Sequence, residues 1–303
     1  MNLSGRRVVV VGASGKIGRS LAYAARDAGA MVTGVTRFRN PEIRDALERD
    51  GIETIVYDAK EDEPARLPDA DLVFLEIWAP DEHRGAGAPE AIWKLNYDGI
   101  GRVVERYRGE AHIINGCSGN VYGTSPEPFS EDARPRPNSE YGLARFAQER
   151  LIDFLFDRTS SRVIHLRYFF GNTPDSGQLY RAACAIRDGR ELEGLPEEKI
   201  QVIALEDFVR YTLRSAELLE RAHSQTINIC HPEVFRRREL AERIRTELGE
   251  GRVVFRSNTG GEEESLIGDT DRMLELLGPP VIGVDELIRR AAHAARQAPG
   301  PEK

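Results

Sequence analysis

Three glycines spaced three apart, Gly12, Gly15 and Gly18, lie between an apolar run at residues 8–11 and a helical pattern of Ile17, Leu21, Ala24, Ala25 and Ala28. A turn of that composition lets the main chain approach a pyrophosphate, and the N–H groups and positive dipole of the helix that begins near Lys16 favour the anion. Gly12, Ser14, Gly15, Lys16, Ile17 and Gly18 are therefore expected to line a dinucleotide. An enzyme that holds the ribose 2′-hydroxyl of NAD usually offers Asp or Glu at the end of the second strand. Here that place reads Thr36, Arg37, Phe38, Arg39. Arginine can grip a 2′-phosphate through two hydrogen bonds, so NADP is expected in preference to NAD, with Arg37 as its ligand.

A second pair of residues suits proton transfer. Tyr141 and Arg145 stand four apart, hence on one face of a helix. A phenol is a poor base at neutral pH because its reference pKa is about 10. A cation about 5 Å away, at an effective dielectric near 20, is worth roughly 3 kcal/mol, or about two pKa units. Arg145 together with an oxidised nicotinamide would draw Tyr141 toward neutrality. Cys117 could serve as acid or base only with a perturbed pKa, and a buried inert thiol is the expected reading.

These side chains need a scaffold. Besides residues 8–11, strands are expected at 31–36, 53–58, 71–77, 111–116 and 162–169. Helices fall between most of them. The clearest span 89–108, with Ile92, Leu95, Ile100, Val103, Val104 and Tyr107 on one face, and 138–157, with Ala147, Leu151, Phe154 and Leu155 on another. Continuous apolar strands alternating with amphipathic helices imply a parallel sheet covered on both faces. The expected fold is α/β, a Rossmann-type doubly wound sheet over 1–170 that binds NAD(P), with a smaller C-terminal α/β substrate lobe over 171–303 that exchanges segments with it. In that lobe helices are expected at 179–187, 206–220, 236–248, 270–277 and 284–295, and strands at 199–205 and 226–230. Glu206-Asp207 reads as an acidic helix cap, and Arg236, Arg237 and Arg238 as a solvated face.

Composition excludes several classes. With 303 residues, 40% hydrophobic and 30% charged, the chain has the make-up of a globular protein with its own core. A net charge of −8 argues against a generic nucleic-acid binder, whose affinity rests on neutralising phosphates. Cys117, Cys184 and Cys230 have neither an even count nor metal-ligand spacing and read as free thiols in a reducing compartment, the cytoplasm. The first apolar run is too short for a signal peptide or a membrane span. His83, His112, His165, His223, His231 and His293 show no metal-binding spacing, so no metal is expected.

Around Gly116, Cys117, Ser118, Gly119, Asn120, Val121, Tyr122, Gly123, and again at Tyr141, Gly142, Leu143, Ala144, Arg145, the chain resembles the extended short-chain dehydrogenase/reductase family, the nucleotide-sugar epimerases and dehydratases. The resemblance continues through Asp58 after the third strand, Asn96 in Leu95-Asn96-Tyr97-Asp98-Gly99, Leu166-Arg167-Tyr168-Phe169, and Thr226-Ile227-Asn228-Ile229 before Leu240-Ala241-Glu242. It implies that Ser118 hydrogen-bonds the reacting oxygen and that Tyr141 exchanges its proton while hydride passes to or from the nicotinamide. Asp58, Asn96, Tyr141 and Arg145 would join the cofactor contacts. The implied activity is that of an NAD(P)-dependent epimerase or ketoreductase on a nucleotide-activated or modified sugar. The family's habit also implies a homodimer through helices 89–108 and 138–157.

Departures from the family pattern narrow the reaction. The family reads Tyr-x-x-x-Lys, whereas this chain has Arg145 and only five lysines against 37 arginines. A guanidinium can bind ribose hydroxyls and lower a phenol's pKa, but it does not readily release a proton to a relay. Gly119 and Asn120 stand where 4,6-dehydratases carry Asp-Glu, which argues against 4,6-dehydration. Ile77 and Trp78 replace small residues beside the cofactor, and Phe170 stands where an asparagine often helps hold the substrate diphosphate. Two other readings therefore accompany the first: a cofactor-binding protein with little turnover, and a reductase of a non-sugar carbonyl.

Overall fold

The structure, a computed structural model, describes residues 2–77, 89–221, 225–255 and 265–299. Trp78, His83 and His223 lie outside the described residues. In chain order the first part runs β1 (Arg7–Val11), α1 (Lys16–Asp27), β2 (Met31–Thr36), α2 (Pro41–Arg49), β3 (Glu53–Val56), β4 (Leu72–Leu75), α3 (Pro89–Trp93), a π-helical turn (Lys94–Gly99), α4 (Ile100–Arg106), β5 (His112–Ser118), α5 (Glu140–Phe156) and β6 (Val163–Tyr168). Then come β7 (Gly171–Asn172), α6 (Gln178–Asp188), β8 (Glu191–Leu192), β9 (Lys199–Ile200), β10 (Ile203–Ala204), α7 (Leu205–Arg221) and β11 (Gln225–Ile229). The last elements are β12 (Phe235–Arg236), α8 (Arg237–Leu248), β13 (Val254–Phe255), α9 (Asp271–Leu277) and α10 (Val284–Gln297).

Seven strands form one sheet in the order β11-β6-β5-β4-β1-β2-β3. The pairs β1–β2, β1–β4, β2–β3 and β4–β5 are parallel. Strand order runs one way from β1 and the other way from β4, so the sheet is doubly wound and Rossmann-type, and the reversal opens a crevice at the carboxyl ends of those two strands. Every residue of β4 is buried, as are the four valines of β1. A sheet buried on both faces needs such unbroken apolar strands, and the helices on its faces supply the cover. Val9, Val11, Val73, Leu75, Ile100, Val104, Ile113 and Ile152 belong to one core cluster.

The chain divides into two compact units. Unit 1 comprises residues 1–123, 134–167 and 209–227, and unit 2 residues 124–133, 168–208 and 228–303. Within unit 2, helices α6, α8 and α10 pack on one another around Leu179, Ile186, Leu240, Ile244, Leu287 and Ile288. Gly189 and Gly249 end α6 and α8 in the left-handed conformation that glycine adopts without strain. The strand expected over 199–205 is two separate two-residue strands, β9 and β10, too short to display an alternating pattern. Glu206 and Asp207 stand in the first turn of α7, and the buried Asp207 carboxylate also accepts N–H bonds from Val281 at 2.9 Å and Ile282 at 3.1 Å. Arg237 is likewise withdrawn from solvent by a two-pronged pairing with Glu198, whereas Arg236 and Arg238 reach Glu197 on the surface.

In unit 1 the helix expected over 138–157 starts at Glu140, because Ser139 caps it: the Ser139 hydroxyl accepts the Gly142 N–H at 3.1 Å. The helix expected over 89–108 is broken into α3, the π turn and α4. A π turn inserts an extra residue and shifts the helical phase, a device found often at functional sites. Here it carries Asn96 into full burial against α5.

Candidate active site

At the end of β1 the backbone turns at Gly12 with φ of +96°, and a Cβ built there would lie 2.1 Å from the Glu76 carbonyl just beyond β4. A Cβ on Gly18 would lie 2.3 Å from the Gly12 carbonyl, so α1 sits directly on the turn. These two glycines therefore close the end of the crevice with main chain alone. Gly15 is exposed at the start of α1, where no side chain caps the helix and no acidic residue stands in the first turn. α2, by contrast, is capped by Asn40, whose Oδ1 accepts the Glu42 N–H at 2.9 Å. Lys16 is exposed and Ile17 half-buried beside this open end.

The far side of the turn meets β2, where Ser14 Oγ lies 3.1 Å from Thr36 Oγ1. Phe38 is buried and holds φ of +42°, a conformation rare for a bulky residue, which turns the chain sharply after the strand. Arg37 is half-buried, with Nη1 4.0 Å from Asp58 Oδ2, while Arg39 is exposed. Asp58 Oδ1 also accepts the Lys60 N–H at 3.0 Å. A close-packed glycine turn, an uncapped helix start and an arginine–aspartate pair beside it are parts that fit a dinucleotide: main chain for pyrophosphate, polar side chains for an adenosine.

Ser118 ends β5 and is buried. Its Oγ accepts two hydrogen bonds from Asn120, from the main-chain N–H at 3.2 Å and from Nδ2 at 2.9 Å. With both acceptor positions taken, the hydroxyl's own proton is left to donate. Tyr141 lies buried in the first turn of α5, which packs on the turn that follows Ser118. Gly142 makes that approach possible, since a Cβ there would be 2.3 Å from the Asn120 carbonyl. One turn further, Arg145 is fully buried; its Nη1 donates to the Ile77 carbonyl at 3.2 Å and its Nη2 to the Gly116 carbonyl. β1, β4 and β5 are neighbours in the sheet, so the glycine turn, Glu76 and Ser118 all stand at the carboxyl ends of adjacent strands.

A charged network surrounds these groups. Glu149, fully buried on α5, binds Arg167 of β6 through two hydrogen bonds of 3.0 and 2.6 Å. The guanidinium of Arg167 also lies over the Tyr122 ring, 4.6 Å from its centroid. Burial works against ionisation of Glu149, but Arg167 and His165 outweigh it and hold the carboxyl below its ordinary range. Burial likewise opposes the charge on Arg145, yet Cys117, Tyr141, Glu149 and Glu76 together keep it firmly protonated. Burial pushes the Cys117 thiol up to about 12, so it is no acid or base at neutral pH. Beside this network Gln148 donates to Asn115 at 2.7 Å, Asn115 to His165 Nδ1 at 3.0 Å, and His165 Nε2 to Asp153 at 3.0 Å, which makes His165 a structural residue.

Asn120, Gly142, Glu149, Arg167 and Glu76 make contacts about Ser118, Tyr141 and Arg145 that their local sequence does not announce. Of these, Asn120 had a legible signal, a polar side chain two residues after Ser118 in a turn. The others act on partners far along the chain.

A dTDP-4-dehydro-6-deoxyglucose reductase of Escherichia coli is 28% identical over 194 residues, 59% of this chain and 61% of the reductase, so the chain matches about three fifths of that relative's length. Among solved structures, MoeE5 in complex with UDP-glucose and NAD superposes with a TM-score of 0.82 at 24% identity, covering 97% of this chain and 99% of that one. The UDP-glucuronic acid 4-epimerase of Bacillus cereus in complex with UDP-glucuronic acid and NAD gives a TM-score of 0.83 at 20% identity, covering 96% and 99%. Such structural likeness establishes the fold. Among the described residues no helix is long and apolar enough to cross a membrane. Residues 8–230 match the model of the NAD dependent epimerase/dehydratase family, and the chain belongs to that family.

Proposed function

We propose that the chain is an NAD(P)-dependent epimerase or ketoreductase acting on a nucleotide-activated or modified sugar, with Tyr141 as general acid/base. The observation that carries this reading is the seating of the α5 start on the turn after Ser118, through Gly142, at strand ends adjacent to the glycine turn. A bound nicotinamide would supply the hydride acceptor or donor. Ser118, its acceptor positions filled by Asn120, directs its proton at the substrate oxygen. Tyr141 takes the proton of a substrate hydroxyl in the oxidising direction and returns it in the reducing one. Arg145 bears on the phenol from one helical turn away and would hold the ribose with Tyr141 and Asn96. Unit 1 holds the dinucleotide in this reading and unit 2 the substrate. Both solved neighbours described above carry NAD with a UDP-sugar, which supports a nucleotide sugar here.

Replacing Tyr141 by Phe is expected to lower turnover by about 10²–10⁴-fold in a chain that still folds and binds dinucleotide. Unaltered turnover overturns the assignment. Arg37 and the lack of a carboxylate at the end of β2 support NADP; titration is expected to find NADPH bound at least about tenfold tighter than NADH, and equal or tighter binding of NADH removes that preference. Leu143 and Phe154, 45% and 76% exposed on α5, support a homodimer through that helix, which light scattering tests. A second reading, a binding protein with little turnover, draws support from Arg145, two of whose nitrogens are committed to main-chain carbonyls. Dinucleotide binding without conversion of any UDP- or dTDP-sugar would favour it.

A further inference from the structure

Glu76 is a buried carboxylate that the proposed chemistry leaves without a task. It follows β4, its N–H is bonded to the Val11 carbonyl at 2.8 Å, and only 4% of the residue is exposed. Its carboxylate rests on Gly116 in the middle of β5: a Cβ built on that glycine would lie 2.6 Å from Oε2 and 2.8 Å from Oε1. Glycine weakens a strand, and one inside a fully buried strand marks a close approach. Here the group admitted is a carboxylate. The Arg145 guanidinium converges on the same place, donating to the carbonyl of Gly116 and to that of Ile77, the residue after Glu76. Carboxylate and guanidinium are thus packed around one glycine, inside the protein, one helical turn from Tyr141.

Resting on the function proposed above, we propose that Glu76 is a positioning residue for Tyr141: its carboxylate, admitted by Gly116, is the counter-charge that seats the Arg145 guanidinium and sets the net positive charge Arg145 presents to the phenol. Among the described residues, the other charged groups packed about Arg145 have partners of their own. Cys117 on β5 is a neutral thiol, and Glu149 on α5 is already paired with Arg167 of β6. On the π turn and α4, Lys94 is paired with Glu61, Arg102 with the carbonyls of Lys60 and Asp62, Arg106 with Asp69 and Glu105 with Arg108. Tyr97 lies edge-on to Trp93, and Asp98 and Glu90 are exposed. His112 at the far end of β5 accepts the Arg162 N–H. Glu149 also bears on Arg145, but Glu76 is the carboxylate that shares Gly116 with its guanidinium, so the loss of Glu76 is expected to change the field at Tyr141.

The test is a titration of tyrosinate absorbance in the purified chain without added dinucleotide, with the Tyr141→Phe protein subtracted to isolate this residue. In Glu76→Gln the Tyr141 proton is expected to leave about one pH unit lower than in the parent, the shift that removing one charge within about 10 Å produces at an effective dielectric near 20. Glu76→Asp, which keeps the charge but draws it back from Arg145, should shift in the same direction by less. In an Arg145→Met background the buried Glu76 side chain, without the guanidinium beside it, is expected to take up a proton, so the Glu76→Gln shift should disappear. Unchanged titration in both Gln and Asp variants overturns the proposal, as does a full shift that survives in Arg145→Met. Should Glu76→Gln fail to fold, the Asp variant decides alone. The readout needs neither substrate nor dinucleotide, so its failure leaves the proposed activity standing, and a chain without turnover still reports on the charge pairing.

Discussion

α1 and α5 begin on the same parallel sheet with opposite contents. α1 opens at Gly15 without a side-chain cap or an acidic first turn, and its buried positions are Gly18, Leu21, Ala22 and Ala25. α5 opens under the Ser139 cap and buries Tyr141, Arg145, Gln148 and Glu149 among its apolar residues. A helix that receives an anion works through main-chain N–H groups and must keep atoms and negative charge out of the way. A helix that moves a proton brings charges inside, and each needs a counterpart, because an unpaired buried charge is costly. Affinity should therefore depend on what α1 lacks, and stability on what α5 contains.

The largest effect is expected at Glu149. Glu149→Ala strands the buried Arg167 guanidinium and should cost about 3–5 kcal/mol in urea denaturation, whereas replacing both residues by Leu and Met should recover most of that loss. A cost below about 1 kcal/mol would break the contrast between the helices. Gly18→Ala comes next: a Cβ 2.3 Å from the Gly12 carbonyl forces α1 off the turn. Overpacking of that kind costs about 1–3 kcal/mol, read here as a loss of dinucleotide affinity on the order of tenfold by nicotinamide fluorescence.

Acid sharpens the same contrast. Glu149 and Asp153 have folded pKa values below their ordinary ones, so both lend stability at neutral pH that is lost as pH falls below about 4.5 and through the folded values. The unfolding free energy from urea denaturation should drop over that window by about 1.4 kcal/mol for each unit by which Glu149 is held down, with a smaller share from the part-exposed Asp153, and Glu149→Gln should flatten the dependence. The smallest effect belongs to the cap: Ser139→Ala should cost about 1 kcal/mol and Ser139→Asp should restore it, measured by thermal melting.

Much of the site is legible because its signals are local. A glycine turn between strand and helix and a tyrosine four residues before an arginine announce themselves within a few residues, whereas Ser118 came with the family resemblance. The surroundings of Arg145 do not, since its carbonyl partners lie 29 and 68 positions away. Gly116 and Gly142 read as ordinary glycines until the sheet brings Glu76 and Asn120 against them. The helix over 89–108 shows apolar spacing throughout, and that spacing survives the π turn which divides it. Phe154, expected on the buried face of α5, is 76% exposed, because α5 carries apolar residues around much of its circumference and its pattern does not single out one face.

Local periodicity, turn chemistry and spacing are properties of neighbours in the chain, and from them the sequence by itself determined a doubly wound α/β sheet, a glycine turn before an open helix start, and the four-residue spacing of Tyr141 and Arg145, while Ser118 came with the family resemblance. The tertiary structure decided which carboxylate meets Arg167 and which one shares Gly116 with Arg145, whereas the third meeting, of Ser118 with the amide of Asn120, lies within one turn of the chain. Two of those three meetings follow from the order β6-β5-β4-β1, which sets side by side residues that no local rule connects.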